Sequence, residues 1–122
     1  MTKNIKSEGE IIHAILSAWG AHPGLRLWRS NCGVGWFARG LPARKSDFGA
    51  YPVRFGVPGQ GDISGIIVGG RRVEIECKTE TGRQSADQIA FQAAVEKFGG
   101  IYLLTRSLAD LDAEFARIGL RR

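Results

Sequence analysis

Asp62, Glu76 and Lys78 are the residues of this 122-residue chain whose types and spacing suit divalent-metal chemistry. Glu76-Cys77-Lys78 closes an alternating run from Val73. The two-residue period of a strand puts Glu74, Glu76 and Lys78 on one face, and Val73, Ile75 and Cys77 on the other. Two carboxylates brought to one place bind a hard cation such as Mg2+ or Mn2+ through oxygen ligands and water. Such a cation lowers the pKa of a bound water and stabilises charge on a phosphate under attack. A lysine beside them can orient or deprotonate the attacking water, or neutralise developing charge. Patterns of an aspartate followed by Glu-x-Lys also arise by chance, so their meaning rests on the elements that position them.

Those elements begin with a predicted hairpin: a strand from Asp62 to Val68, a turn at Gly69-Gly70, and a strand from Arg72 to Lys78. A strict two-residue turn pairs Val68 with Arg71 and Asp62 with Cys77, and Asp62 then faces away from Glu76. The site therefore requires a one-residue offset, through a three-residue turn (Gly69-Gly70-Arg71) or a bulge. Downstream, Ser85-Ala86-Asp87-Gln88 reads as a capping box opening a helix that runs through Phe98. Phe91, Ala94, Val95 and Phe98 form its apolar side, and Gln88 borders it. Residues 101–105 read as a buried strand, and Ser107 to Asp110 as the cap of a terminal helix.

Upstream, Ser7 and Glu10 form another capping box, followed by an apolar stripe of Ile11, Ile12, Ile15, Leu16 and Trp19. Glu8 falls in line with that stripe. A carboxylate there needs a partner or a metal, unless it reaches solvent past the first turn. Residues 25–29 alternate as a strand, whereas residues 30–61 are rich in Gly and Pro and lack clear regular structure. The expected order is α-β-(long loop)-β-β-α-β-α, an α/β fold with a mixed sheet flanked by helices in one domain, residues 1–122.

The charge is distributed unevenly. The whole excess of +5 falls in residues 25–61, where Arg26, Arg29, Arg39, Arg44, Lys45 and Arg54 face only Asp47. Trp36, Phe37, Phe48, Tyr51 and Phe55 lie among them. Cations meet phosphates and rings stack on unpaired bases, so nucleic acid fits this segment. A solvated loop whose rings pack on the core is the other reading. Cys32 and Cys77 lack CxxC spacing or a neighbouring histidine pair, which leaves out a zinc site and favours two free thiols. The longest apolar run is too short for a bilayer, and the first residues lack a signal-peptide core. No membrane association is expected, and the expected location is the cytoplasm.

The run Gly61-Asp62, Glu74-Ile75-Glu76-Cys77-Lys78, Gly82-Arg83-Gln84-Ser85-Ala86-Asp87-Gln88 and Gly99-Gly100 resembles the VRR-NUC (virus-type replication-repair nuclease) branch of the PD-(D/E)xK nucleases. Glu8 with Ile11, and Arg29-Ser30-Asn31 with Gly33, also look like that family's opening segment. The resemblance covers nearly the full chain, apart from an enlarged region around residues 34–56. It implies a restriction-endonuclease-like sheet and Mg2+- or Mn2+-dependent cleavage of DNA. Asp62 and Glu76 would be the metal carboxylates, with the Cys77 carbonyl as a further ligand, Lys78 as catalytic lysine, and Gln88 supporting the lysine or the water. Glu8 matches the first-helix acid near the metal. Gly61 departs from the family's usual proline, which loosens the turn.

Endonucleolytic work on branched DNA such as a Holliday junction, in phage or bacterial replication, recombination and repair, is what the resemblance favours. A junction presents two related strands, which makes a homodimer a sensible arrangement. Arg29, Asn31, Arg39, Arg44, Lys45, Arg54 and Arg83 are the candidate DNA contacts. Glu74 is expected to be solvated at the sheet's end, and Arg121-Arg122 to be a frayed terminus. The competing expectation is a DNA-binding or assembly module that keeps the fold without cutting. Clustered acids argue against it, because without metal they repel phosphates.

Overall fold

The computed structural model describes residues 6–30 and 33–122. Helix α1 (Glu8–Trp19) starts at the Ser7 cap, whose hydroxyl accepts from the Glu10 N–H while Glu10 reaches back to the Ser7 N–H. It buries Ile11, Ile12, Ile15 and Trp19. The main sheet contains β1 (Leu25–Arg29), β5 (Ile63–Ile67), β6 (Arg71–Cys77) and β7 (Ile101–Thr105), in the order β1-β5-β6-β7. The first three strands run antiparallel, and β7 is parallel to β6. Helix α2 (Ala86–Lys97) makes the crossover, and α3 (Leu108–Arg117) ends the fold. The chain is thus a mixed α/β protein with a mixed sheet flanked by helices. Among the described residues no helix is long and apolar enough to cross a membrane.

One face of the sheet carries the core. Ile63, Val73, Ile75 and Cys77 pack against the α1 stripe and against Leu111 and Phe115 of α3. The Trp19 indole donates to Asp112 at 2.8 Å and meets the Phe115 ring edge-on. Arg122 bonds Asp112 at 2.8 Å, so the C-terminal arginine is anchored rather than frayed. Its proximity holds the Asp112 carboxyl below its usual value.

The opposite face is thinly covered. The predicted apolar side of α2 is not buried: no residue of that helix is, and Phe98, beyond its last turn, is 84% exposed. The Phe91 ring meets Tyr102 of β7. The capping box at Ser85 and the contacts of Gln88 anchor the start of α2 instead.

The expected long loop is a second sheet. Strands β2 (Gly33–Ala38), β3 (Leu41–Pro42) and β4 (Tyr51–Phe55) form an antiparallel wing, ordered β3-β2-β4. Its strands carry no buried residue, although Tyr51, Val53 and Phe55 alternate along β4 and the Tyr51 and Phe55 rings meet Phe37 on one face. Gly40 and Arg39 both take positive φ at the β2–β3 turn. The wing leaves the main sheet at Ser30 and returns at Asp62, where the Ser30 N–H donates to the Asp62 carbonyl at 2.8 Å.

Candidate metal centre

The β5–β6 register places Asp62. Ile67 pairs with Arg71 and Ile63 with Ile75, closing the hairpin through Val68-Gly69-Gly70. Both glycines adopt positive φ, which glycine accepts without steric cost. The turn therefore has the expected three residues but begins one position before the predicted Gly69-Gly70-Arg71. That shift sets Asp62, one step beyond the paired ladder, across from Glu76, and its Oδ2 accepts from the Cys77 N–H at 2.8 Å.

Glu76 is 3% exposed. Its Oε1 accepts from Gln88 Nε2 at 2.8 Å and lies 3.5 Å from Lys78 Nζ. Burial, and then the adjacent Asp62 carboxylate, push its pKa from the ordinary carboxylate range up to about 7, against the opposing pull of Lys78. Gln88 serves two elements at once, because its Oε1 accepts from the Ser85 N–H at 2.8 Å within the capping box. The amide that starts α2 thereby also fixes one oxygen of Glu76.

Cys77 points into the core, where burial and then the charges of Asp62, Glu76 and Glu8 push its thiol up to about 12. Glu8, at the start of α1, is the smallest of these influences. Asp62, Glu76, Lys78 and Gln88 come together directly. Among the described residues no group of three or more His, Cys, Asp or Glu side chains is arranged to hold a metal. Two facing carboxylates that compete for a proton nevertheless fit a hard divalent cation, with backbone carbonyl and water as the remaining ligands.

Four neighbouring features escaped the sequence. Glu74 is fully buried, not solvated: Ser64 Oγ donates to it at 3.0 Å and Arg72 Nε at 2.8 Å. Ser64 also accepts from Gln60 Nε2 at 3.1 Å and touches the Ser30 hydroxyl. Strand alternation says which residues share a face, but not that the base of the wing covers it. Gly61 lies tight on this layer, since a Cβ there would come within 2.9 Å of the Ile75 carbonyl and 3.1 Å of Glu74. A side chain at 61 is therefore disfavoured. Arg106 donates to the carbonyls of Thr79 and Gly82, pinning the turn after Lys78. Tyr102, also on the Glu76 side, has a buried hydroxyl without a well-formed hydrogen bond.

The predicted DNA contacts spread widely. Arg29 ends β1 near Asp62 and lines the same cleft. Arg39 lies at the wing turn and Arg54 on β4. Arg44 pairs with Asp47 at 3.4 Å, and Lys45 lies over the Trp36 ring. Arg83 is exposed just before α2. Asn31 and Cys32 lie outside the described residues. Comparisons with protein families, with curated proteins and with solved structures found no match.

Proposed function

We propose that the chain is a metal-dependent deoxyribonuclease of the PD-(D/E)xK type, within its VRR-NUC branch, hydrolysing phosphodiester bonds in DNA. The observation that carries this reading is the meeting of Asp62 and Glu76 across the β5–β6 hairpin, with Lys78 and Gln88 on Glu76. Asp62, Glu76 and the Cys77 carbonyl would hold Mg2+ or Mn2+, with Glu8 assisting through water. When bound, the ion lowers the pKa of a water and offsets charge on the phosphate.

The protein's own groups do the rest. Gln88 holds Glu76 Oε1. Asp62 is braced by the Cys77 N–H, so both carboxylates are oriented before substrate arrives. Lys78 Nζ, held by Glu76, can donate to a phosphoryl oxygen as negative charge accumulates there. Branched DNA such as a Holliday junction is the proposed substrate class, and a homodimer would match its two strands.

The test incubates purified protein with labelled linear, flapped and four-way DNA in Mg2+, Mn2+ or EDTA. Cutting is expected with either metal and not in EDTA. Glu76→Ala and Lys78→Ala should each lower cleavage by about a thousandfold or more while DNA binding persists. Cutting that survives EDTA would remove the metal from the reading. Wild-type protein that binds but never cuts would instead be a non-cleaving DNA-binding module.

A further inference from the structure

A cleft of about 330 Å³ lies at the root of the wing and reaches Asp62 of the candidate centre, lined also by Arg29, Val34, Phe55 and Gln60 among others. Its volume lies at the low end for small-molecule sites, room for about one nucleotide. Its apolar lining is open: Val34 is 51% and Phe55 42% exposed. The Phe55 ring lies over Gly35, where a Cβ would come within 2.7 Å of it. Glycine at 35 therefore lets the ring lie down on the wing, and its exposed part borders the cleft.

One cation lies at this lining: Arg29 borders the cleft, whereas Arg54, one residue before Phe55, alternates to the other face of β4. Phosphate attracts such cations, and an aromatic ring gains from stacking on a base only when that base has left its own stack. A paired base in a duplex has no free face to offer.

We propose that this cleft takes one unpaired nucleotide of the DNA substrate, its base against Phe55 and its phosphate toward Arg29, beside the bond presented to Asp62 and Glu76. The proposal rests on the nuclease reading and narrows it to DNA with an unpaired nucleotide next to the cut, as at a flap or an open junction.

The test uses Lys78→Ala protein in Mg2+, and duplexes carrying 2-aminopurine either as a single unpaired nucleotide or within a fully paired strand. With Phe55 present, binding should quench the unpaired probe and leave the paired one unchanged. Phe55→Ala should abolish the quench and weaken binding of the unpaired substrate about tenfold, with little effect on the paired duplex. Phe55→Tyr, which keeps the ring, should restore both, separating loss of stacking from loss of folding. No quench with Phe55 present, or equal weakening on paired and unpaired DNA, overturns the proposal. The nuclease reading fails separately: a quench without any cutting by wild-type protein would keep the cleft and discard the chemistry. Cutting without a quench would do the reverse.

Discussion

Glu76 sits in an environment hostile to its own charge. Its burial and the facing Asp62 raise its pKa to about 7, while Lys78 offsets only part of that. The metal-free folded chain therefore holds a proton there that the unfolded chain, with its carboxyl near 4.5, releases earlier. More protons bound in the native state means stability falls as pH rises. This contribution is favourable below about 4.5 and is lost by about 7. Thermal melts in EDTA across that window should show a declining midpoint from this group, and Glu76→Gln should remove the decline. Mg2+ should reverse the slope, because a cation competes with the proton and binds better as Glu76 ionises. A midpoint equally pH-dependent in Glu76→Gln would place the titration elsewhere. At this scale the sequence is informative about residue types: the expected Asp62, Glu76, Lys78 and Gln88 lie together. It does not reveal that Glu74, on the same strand face, is buried with Ser64 and Arg72. Alternation carries no information on what covers a face.

Elements decide whether those residues meet. The hairpin offset is a logical requirement of the site, yet the glycine pair alone does not fix where the turn begins. Ile67 pairing with Arg71 settles it. The α2 cap is legible for a local reason, since Ser85 and Gln88 satisfy each other's backbone donors. The apolar side of that helix stays open because helical spacing predicts a face, not the presence of something to bury it. The wing is hard to read because its strands are short and set among Gly and Pro, so the Tyr51-Val53-Phe55 alternation spans only five residues. Gly59, in the segment returning from the wing, has positive φ, and a Cβ there would lie 2.0 Å from the Asp87 carbonyl oxygen. Gly59→Ala should therefore cost about 3 kcal/mol in denaturant unfolding and lower cleavage by displacing the start of α2, and Gln88 with it. Unchanged stability would mean that this close approach opens freely.

Across the whole molecule, the net positive charge is localised while the remaining cations and carboxylates balance. The net +5 lies in residues 25–61, and the acids at the centre lie just beyond. The exposed wing cations contribute little to packing, so replacing Arg39, Arg44 and Lys45 by Gln should leave the fold intact. The slope of log affinity against log salt should flatten by about 0.9 for each phosphate that is no longer neutralised. An unchanged slope would take the wing tip out of the DNA footprint. The Ser30–Asp62 backbone bond has a wider consequence. Since Arg29 pairs with Ile63, β1 and β5 are already neighbours at the point where the wing departs and returns. The wing is therefore a detour closed at its base, and lengthening such a detour adds loop-closure entropy only logarithmically. A chain built this way can exchange one wing for another over evolutionary time, renewing what it grips without disturbing the strand crossing on which its acids stand.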